Sequence, residues 1–413
     1  MKDKLGRAQA LSPQEALKML LEALRPAPLR QEELPLQELY GRILAEDIHA
    51  PEPLPPFARS TVDGYAVVAQ DTFGATESSP AYLKVQAEVA MAELPTRALS
   101  RGHAARIATG GALPPGADAV AMLEHTQELS PSEIEVLKPL APGDNVIFKG
   151  QDAQQGELLL EAGSRLSPQA VAALAGVGIT SARVYERPRV SIIITGDEVV
   201  APGQPLGAGL IRDMNSYTLM GLLQREGAVA LMEGIFRDDY ALLREALDKA
   251  LEHSHMVLIT GGSSVGARDY TAGLIQEAGQ VLFHGVAMKP GKPTMAGLSK
   301  EGKPLFGLPG HPGAVPLCFE LFVAPTLRRL AGLKVSAPRA SLRARLTKAV
   351  SSTVGRAQYV RVRVFEQDGQ LWAEPVLGPS GLIRTLLRSH GVVLVPPLRQ
   401  GLEAQEWVEV LPL

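Results

Sequence analysis

Lys289 and Lys292, in the run MKPGKPT at 288–294, flank a Pro-Gly turn and can aim two ammonium groups at one oxyanion. A glycine-rich run precedes them, MVLITGGSSVGARDYT at 256–271, and FGLPGHPG follows at 306–313. Gly261, Gly262 and Gly266 let a backbone approach a ligand closely, and the loop they share with Ser263 and Ser264 leads into a helix whose N-terminus suits phosphate. Acids stand nearby: Asp197 and Glu198 after RVSIIIT, Asp238 and Asp239 after VALMEGIF, and Asp269 after the glycine run. Such acids repel an anion, so their part in the site would be to hold a divalent cation or a proton-bearing group. Lysines and carboxylates together suit metal-assisted chemistry on a phosphate or a metal oxyanion. Plainer roles compete: Asp269 sits where a helix N-cap belongs, Asp238 and Asp239 complement a helix dipole, and His311 fits an ordinary turn.

The elements that must position these residues alternate. RVSIIIT (189–195), VALMEGIF (229–236), MVLITG (256–261) and VLFHGVAM (281–288) read as strands. NSYTLMGLLQREG (215–227), DDYALLREALDKAL (238–251) and YTAGLIQEAG (270–279) read as helices. The pattern predicts an α/β fold with a mostly parallel, doubly wound sheet, which places ligands outside the carboxyl ends of its strands. Upstream, residues 12–24 form an amphipathic helix in which Ser12, Pro13 and Glu15 spell a capping box, and Ser-Pro opens a second helix at 167–176. The proline-dense stretch from about 51, with alternation in YLKVQAEV (82–89), reads as β-rich. Beyond Pro338, Val360, Val362 and Val364 alternate with Arg361 and Arg363, and LWAEPV, GVVLVP and EWVEVL are short strands of a C-terminal β-barrel or sandwich. The expected division is a discontinuous helical linker domain (1–50 and 150–186), an inserted β-rich domain (51–149), an α/β domain (187–335) and a C-terminal β domain (336–413).

Composition narrows the classes. The 413 residues carry Lys+Arg 41 against Asp+Glu 44, net −3, which argues against a general nucleic-acid binder. The single cysteine, Cys318, excludes a disulfide scaffold and reads as core. No signal-peptide pattern or membrane-length apolar run is present, so no membrane partner and a cytoplasmic location are expected. GSSVGAR lacks the Gly-Lys-Ser/Thr of a P-loop, no G-x-G-x-x-G follows the first strand, and no G-x-S-x-G elbow occurs.

The chain resembles the molybdopterin molybdenumtransferase family, the bacterial MoeA proteins and their eukaryotic relative, the E domain of gephyrin. The resemblance rests on FARSTVDGYAV at 57–67, ARIATGGALPPGADAV at 105–120, GDNVIFKGQD at 143–152, PRVSIIITGDE at 188–198, RDMNSY, RDD, GGSSVGARDY, MKPGKP, FGLPGHP, GRAQYVRV at 355–362 and GPSGLIRTL at 378–386. It implies a molybdopterin-binding α/β domain and insertion of molybdenum from molybdate into adenylylated molybdopterin with release of AMP, assisted by Mg2+. Asp63 and Thr109 from the β-rich part would join Glu198 and Asp269 in the chemistry, with Asp197 and Asp238 beside them at the metal. Lys289 and Lys292 would meet the oxyanion, with Pro309 and Pro312 in the adjoining loop. Arg356, Arg361 and Ser380 would come from the C-terminal domain, and the resemblance implies a homodimer in which that domain faces the partner's α/β domain. Some positions depart from the family pattern: Asp144 and Ile147 where Gly-Glu-Asn-Val-Arg is usual, Gln151 for a glutamate, and His311 and Ala314 in Pro-Gly-His-Pro-Gly-Ala for Pro-Gly-Asn-Pro-Val-Ser. Each lost ligand-binding group would cost about 1–3 kcal/mol. The sequence therefore leaves open a non-catalytic molybdopterin-binding or carrier paralogue, and a transferase for tungstate.

Overall fold

Ser12 opens helix α1 (Pro13–Ala23) by the expected device: its Oγ accepts from Glu15 N at 3.2 Å, and Glu15 Oε2 accepts from Ser12 N at 2.8 Å. Ala16 and Leu20, four apart on one face, are fully buried. In a computed structural model the structure describes residues 11–25, 29–261, 265–334, 340–379 and 381–413, and of 265–269 only the backbone. The chain divides into two compact units, one of residues 46–162 and 167–182, the other of 1–45, 163–166 and 183–413. No helix among the described residues is long and apolar enough to cross a membrane.

The first unit is built on a six-stranded sheet ordered Ala119–Met122, Gly64–Val67, His103–Ile107, Ala81–Glu88, Glu133–Val136 and Thr126–Ser130. It also carries helix α2 (Pro168–Gly176), which Ser167 caps by accepting from Ala170 N at 3.1 Å. Gly64 belongs where it is because a Cβ there would overlap the Ala121 carbonyl on the neighbouring strand.

The second unit holds the α/β sheet. Its strands are β1 (Arg189–Thr195), β2 (Val229–Phe236), β3 (Met256–Gly261), β4 (Gly279–His284), β6 (Met295–Ser299) and β7 (Pro304–Leu308), in the order β2-β1-β3-β7-β6-β4. The pairings β1–β2, β1–β3 and β3–β7 are parallel, and β6 runs antiparallel to both β7 and β4. Five of the six strands therefore point one way, as expected. Period-two alternation on β1 sends Ile193 to a core with helices α4 (Tyr240–His253) and α5 (Val265–Ala278). It sends Val190, Ile192 and Ile194 to the opposite core, which α1, α3 (Asn215–Arg225) and the helical run 315–330 cover.

Two expectations need correcting. The strand expected at 281–288 ends at His284, because Gly285 adopts a left-handed φ of 89° and turns the chain off the sheet. Two residues beyond that turn, Met288–Lys289 forms a separate strand, β5. The helix expected from Tyr270 begins at Val265, so Asp269 lies inside it and not at its N-cap.

The C-terminal strands β8 (Leu342–Leu346), β9 (Ala357–Gln367), β10 (Gln370–Pro375), β11 (Gly391–Val395) and β12 (Trp407–Pro412) follow the order β9-β10-β8-β12-β11. Pairing of β11 back onto β9 closes them into a barrel around Ala344, Leu346, Val360, Val362, Ala373, Val393 and Val410. β5 adds to β9 from outside, in parallel, with Met288 opposite Ala357 and Lys289 opposite Gln358.

Candidate functional site

A cavity of about 950 Å³ opens between the α/β sheet and the barrel of the same chain. Lys289, Lys292, Pro309, His311 and Ala314 line it from the sheet side, and Arg356, Tyr359, Arg361 and Gly378 from the barrel. Among the described residues the lining holds the four cationic side chains of Lys289, Lys292, Arg356 and Arg361 and no carboxylate. Arg356 and Arg361 of the barrel line this cavity together with the lysine turn of the same chain.

Arg361 is the unusual member. It is 8 % exposed, and its Nη2 donates to the Gly378 carbonyl at 3.3 Å. Its Nε has no partner, and no described carboxylate pairs with it. Burial pulls its pKa below the ordinary guanidinium value. A buried charge with no counter-charge is costly, and an anionic ligand would remove that cost. Arg356 Nε is likewise buried and unpartnered. The lysines are held by their turn: Gly291 has a φ of 102°, and a Cβ there would lie 2.8 Å from Cys318 Sγ and overlap Met288. Thr294 Oγ1 closes the turn by donating to the Gly291 carbonyl at 2.7 Å, with Cys318 Sγ at 3.1 Å. Burial pushes the Cys318 thiol up to about 12, in keeping with a core role.

At the carboxyl edge of the sheet, Gly261 has a φ of 137°, and a Cβ there would overlap the Thr195 carbonyl oxygen. Gly310 packs on it: a Cβ on Gly310 would lie 3.4 Å from the Gly261 carbonyl carbon. The 309–310 turn is pinned by Asn215 Nδ2, which donates to Gly310 O at 2.9 Å, and by Thr260 Oγ1, which donates to Pro309 O at 3.1 Å.

The acids stand apart from the lysine cavity: Asp197, Glu198 and Asp238 do not line it, and neither does Pro312. Asp238 Oδ1 accepts from Thr195 Oγ1 at 2.6 Å, and Asp238 N faces Asp197 Oδ1 at 3.4 Å. The helix-dipole role expected of Asp238 and Asp239 thus divides: Asp239 caps α4, accepting from Leu242 N at 2.9 Å, and leaves Asp238 to β1. Among the described residues no group of three or more His, Cys, Asp or Glu could hold a metal ion. Gly262, Ser263, Ser264 and Ser380 lie outside the described residues, as does the side chain of Asp269, and Gly266 is described only as backbone of α5.

In the other unit, Asp63 Oδ1 accepts from Thr109 N at 2.7 Å and from Thr109 Oγ1 at 2.9 Å. The backbone bond first and the hydroxyl second hold the Asp63 carboxyl below its usual range. Stability linked to this carboxylate is present above the ordinary aspartate pKa and lost as pH falls through the depressed value. Thr109→Val removes only the hydroxyl bond, so the Asp63 pKa is expected to return part of the way, as read by an NMR titration of its carboxyl carbon. An unchanged titration would show that the backbone N–H alone sets it.

The sequence reading missed His284, Gln358 and Tyr359, all of which line the cavity. Period-two spacing from Arg361 was the available signal for Tyr359, since residues 357, 359 and 361 share one face of β9.

Family profiles match three successive stretches: the MoeA N-terminal region (domain I and II) at 11–178, a "Probable molybdopterin binding domain" at 191–329, and the MoeA C-terminal region (domain IV) at 343–413. A molybdopterin molybdenumtransferase of Bacillus subtilis is 35% identical over 381 residues, covering 91% of this chain and 88% of its own length. One of Haemophilus influenzae is 32% identical over 404 residues, covering 97% and 98%. The crystal structure of the molybdopterin biosynthesis MoeA protein from Pyrococcus horikoshii superposes with a TM-score of 0.83 at 33% identity, covering 97% of this chain and 100% of that one. Matched across its described length in sequence and in fold, the chain belongs to the MoeA family.

Proposed function

We propose that the protein is a molybdopterin molybdenumtransferase, inserting molybdenum from molybdate into adenylylated molybdopterin with release of AMP in molybdenum cofactor biosynthesis. One observation supports the reading: among the described residues four cationic groups and no carboxylate line a large cavity, and one of them, Arg361, is buried with no described counter-charge. A ligand with an adenylyl phosphate and a tetrahedral oxyanion supplies the missing negative charge. Lys289 and Lys292 would take the oxyanion, Pro309 and Pro312 would shape the adjoining loop, and Arg356, Arg361 and Ser380 would take phosphate oxygens. Backbone at Gly261, Gly262, Ser263, Ser264 and Gly266 would lie along the pterin side of the ligand.

Asp197, Glu198, Asp238 and Asp269 would hold Mg2+ through hard carboxylate oxygens; Asp197 and Asp238 neighbour each other at adjacent strand ends, and since the described acids form no ready-made metal cluster, Glu198 and Asp269 would have to close on them. The cation would neutralise charge that builds on the departing AMP. Glu198 and Asp269, with Asp63 and Thr109, are assigned to the chemical step. A homodimer, a cytoplasmic location and the four-part division at 50, 149, 186 and 335 belong to the same reading.

The test mixes protein, adenylylated molybdopterin, Mg2+ and either molybdate or tungstate, and follows AMP and bound metal together. Lys292→Ala and Asp269→Asn are each expected to slow AMP release by about 100-fold. Unchanged rates in both would remove these residues from the mechanism, and equal turnover with tungstate would make the enzyme indifferent to the metal. A second reading, a carrier without turnover, is favoured by His311 and Ala314, which line the cavity where the family pattern has Asn and Ser. Tight binding of substrate with no AMP formed would establish it.

A further inference from the structure

β9 turns two different faces to two different interiors. Val360 and Val362 point into the barrel, whereas Ala357 and Tyr359 join the core beneath the α/β sheet. Arg361 continues the second face. Tyr359 is 6 % exposed as a residue, yet it lines the anion cavity beside Arg361. A tyrosine so placed gives its ring to the core and its polar tip to the cavity, where a ligand oxygen can take the place of water on the hydroxyl. Among the described residues every charged group lining this cavity is cationic, which favours a ligand that presents anionic oxygens, and a phenol meets such an oxygen as a donor.

We propose that Tyr359 is a specificity-determining residue that donates a hydrogen bond from its phenol to an anionic oxygen of the bound substrate. Burial, which raises its pKa to about 12, keeps the phenol protonated across the working pH range and so always a donor. A tyrosine reports whether the ligand oxygen is present and in register, without adding to a positive charge that the two lysines and two arginines already supply. This assignment rests on the proposed function, and it extends that reading to a residue with no charge.

The decisive comparison is Tyr359→Phe against wild type, with Arg361→Lys as a second variant, measured by calorimetric binding of adenylylated molybdopterin and by AMP release. Phenylalanine keeps the ring in the core, so the melting temperature should stay unchanged. Loss of a charge-assisted bond should raise Kd and KM by about 10-fold while kcat moves little. Equal Kd and KM in wild type and Tyr359→Phe, with Arg361→Lys impaired, would overturn the role of Tyr359 and leave the proposed function standing. A lower melting temperature with unchanged KM would also overturn it, by making the hydroxyl a packing feature. Failure of the wild-type protein to bind the substrate at all would instead sink the functional reading on which the assignment rests.

Discussion

Arg361→Met is expected to cut AMP release at least about 100-fold and, at the same time, to make the ligand-free protein more stable. The two effects share one cause. A guanidinium that is 8 % exposed, with no carboxylate partner among the described residues and with an unpartnered Nε, costs free energy in the empty protein. Methionine fills a similar volume without that cost, so stability should rise by about 1 kcal/mol or more. With substrate present the balance reverses, because two charge-assisted hydrogen bonds at about 1.5 kcal/mol or more each correspond to roughly 100-fold in binding or rate. Calorimetric melting of the empty protein and an AMP assay on the same preparation check both halves. A variant that melts lower and turns over normally would make Arg361 a prop for the Gly378 carbonyl and nothing more.

Gly261→Ala is expected to be the most damaging single-methyl change in the α/β sheet, at about 4 kcal/mol or more. A Cβ at this position would overlap the carbonyl oxygen of Thr195 on β1, and a φ of 137° is one that L side chains rarely adopt. Relief is blocked from the other side as well, since Gly310 already packs on the Gly261 backbone and is held there by Asn215 and Thr260. Chemical denaturation would measure the loss. A cost below about 1 kcal/mol would mean that β1 and β3 can part, contrary to their continuous pairing from Val190–Met256 to Thr195–Gly261.

Much of this fold can be read from residue order, and the failures have physical reasons. The capping box at Ser12 and the alternation of strands and helices from 189 onward are local signals, and local hydrogen bonds or period enforce them. Strand β6 escaped notice because Gly297 sits at its centre; a Cβ there would strike Gln280 O and Ile275, so the glycine marks a close crossing and hides a strand. The face of β9 was misjudged for a different reason. Val360, Val362 and Val364 alternate with arginines, which reads as one buried face and one wet face, but the outer face of the barrel is itself covered near residues 357–361. Burial by a second domain leaves no periodic trace in the strand that is buried. Arg361 thus entered the candidate site through family resemblance, and Tyr359 through coordinates alone. The lysine pair stood out by its spacing around Pro290 and Gly291, whereas sheet topology grouped with it Asp197, Glu198 and Asp238, which do not line the same cavity.

Strand β5 has a consequence for how the molecule moves. Met288 and Lys289 take their pairing from Ala357 and Gln358 of the barrel, and on the other side the Ala287 N–H donates to Leu11 ahead of α1. The lysine-bearing turn is thus a seam stitched to two distant parts of the chain, and its geometry works as a gauge of whether the barrel is docked. Any displacement of the barrel large enough to open the cavity must first unzip a two-residue ladder, and Lys289 would swing with it. A barrel parted from this ladder would carry Arg356 and Arg361 away from Lys289, so both cationic walls would lose their alignment together.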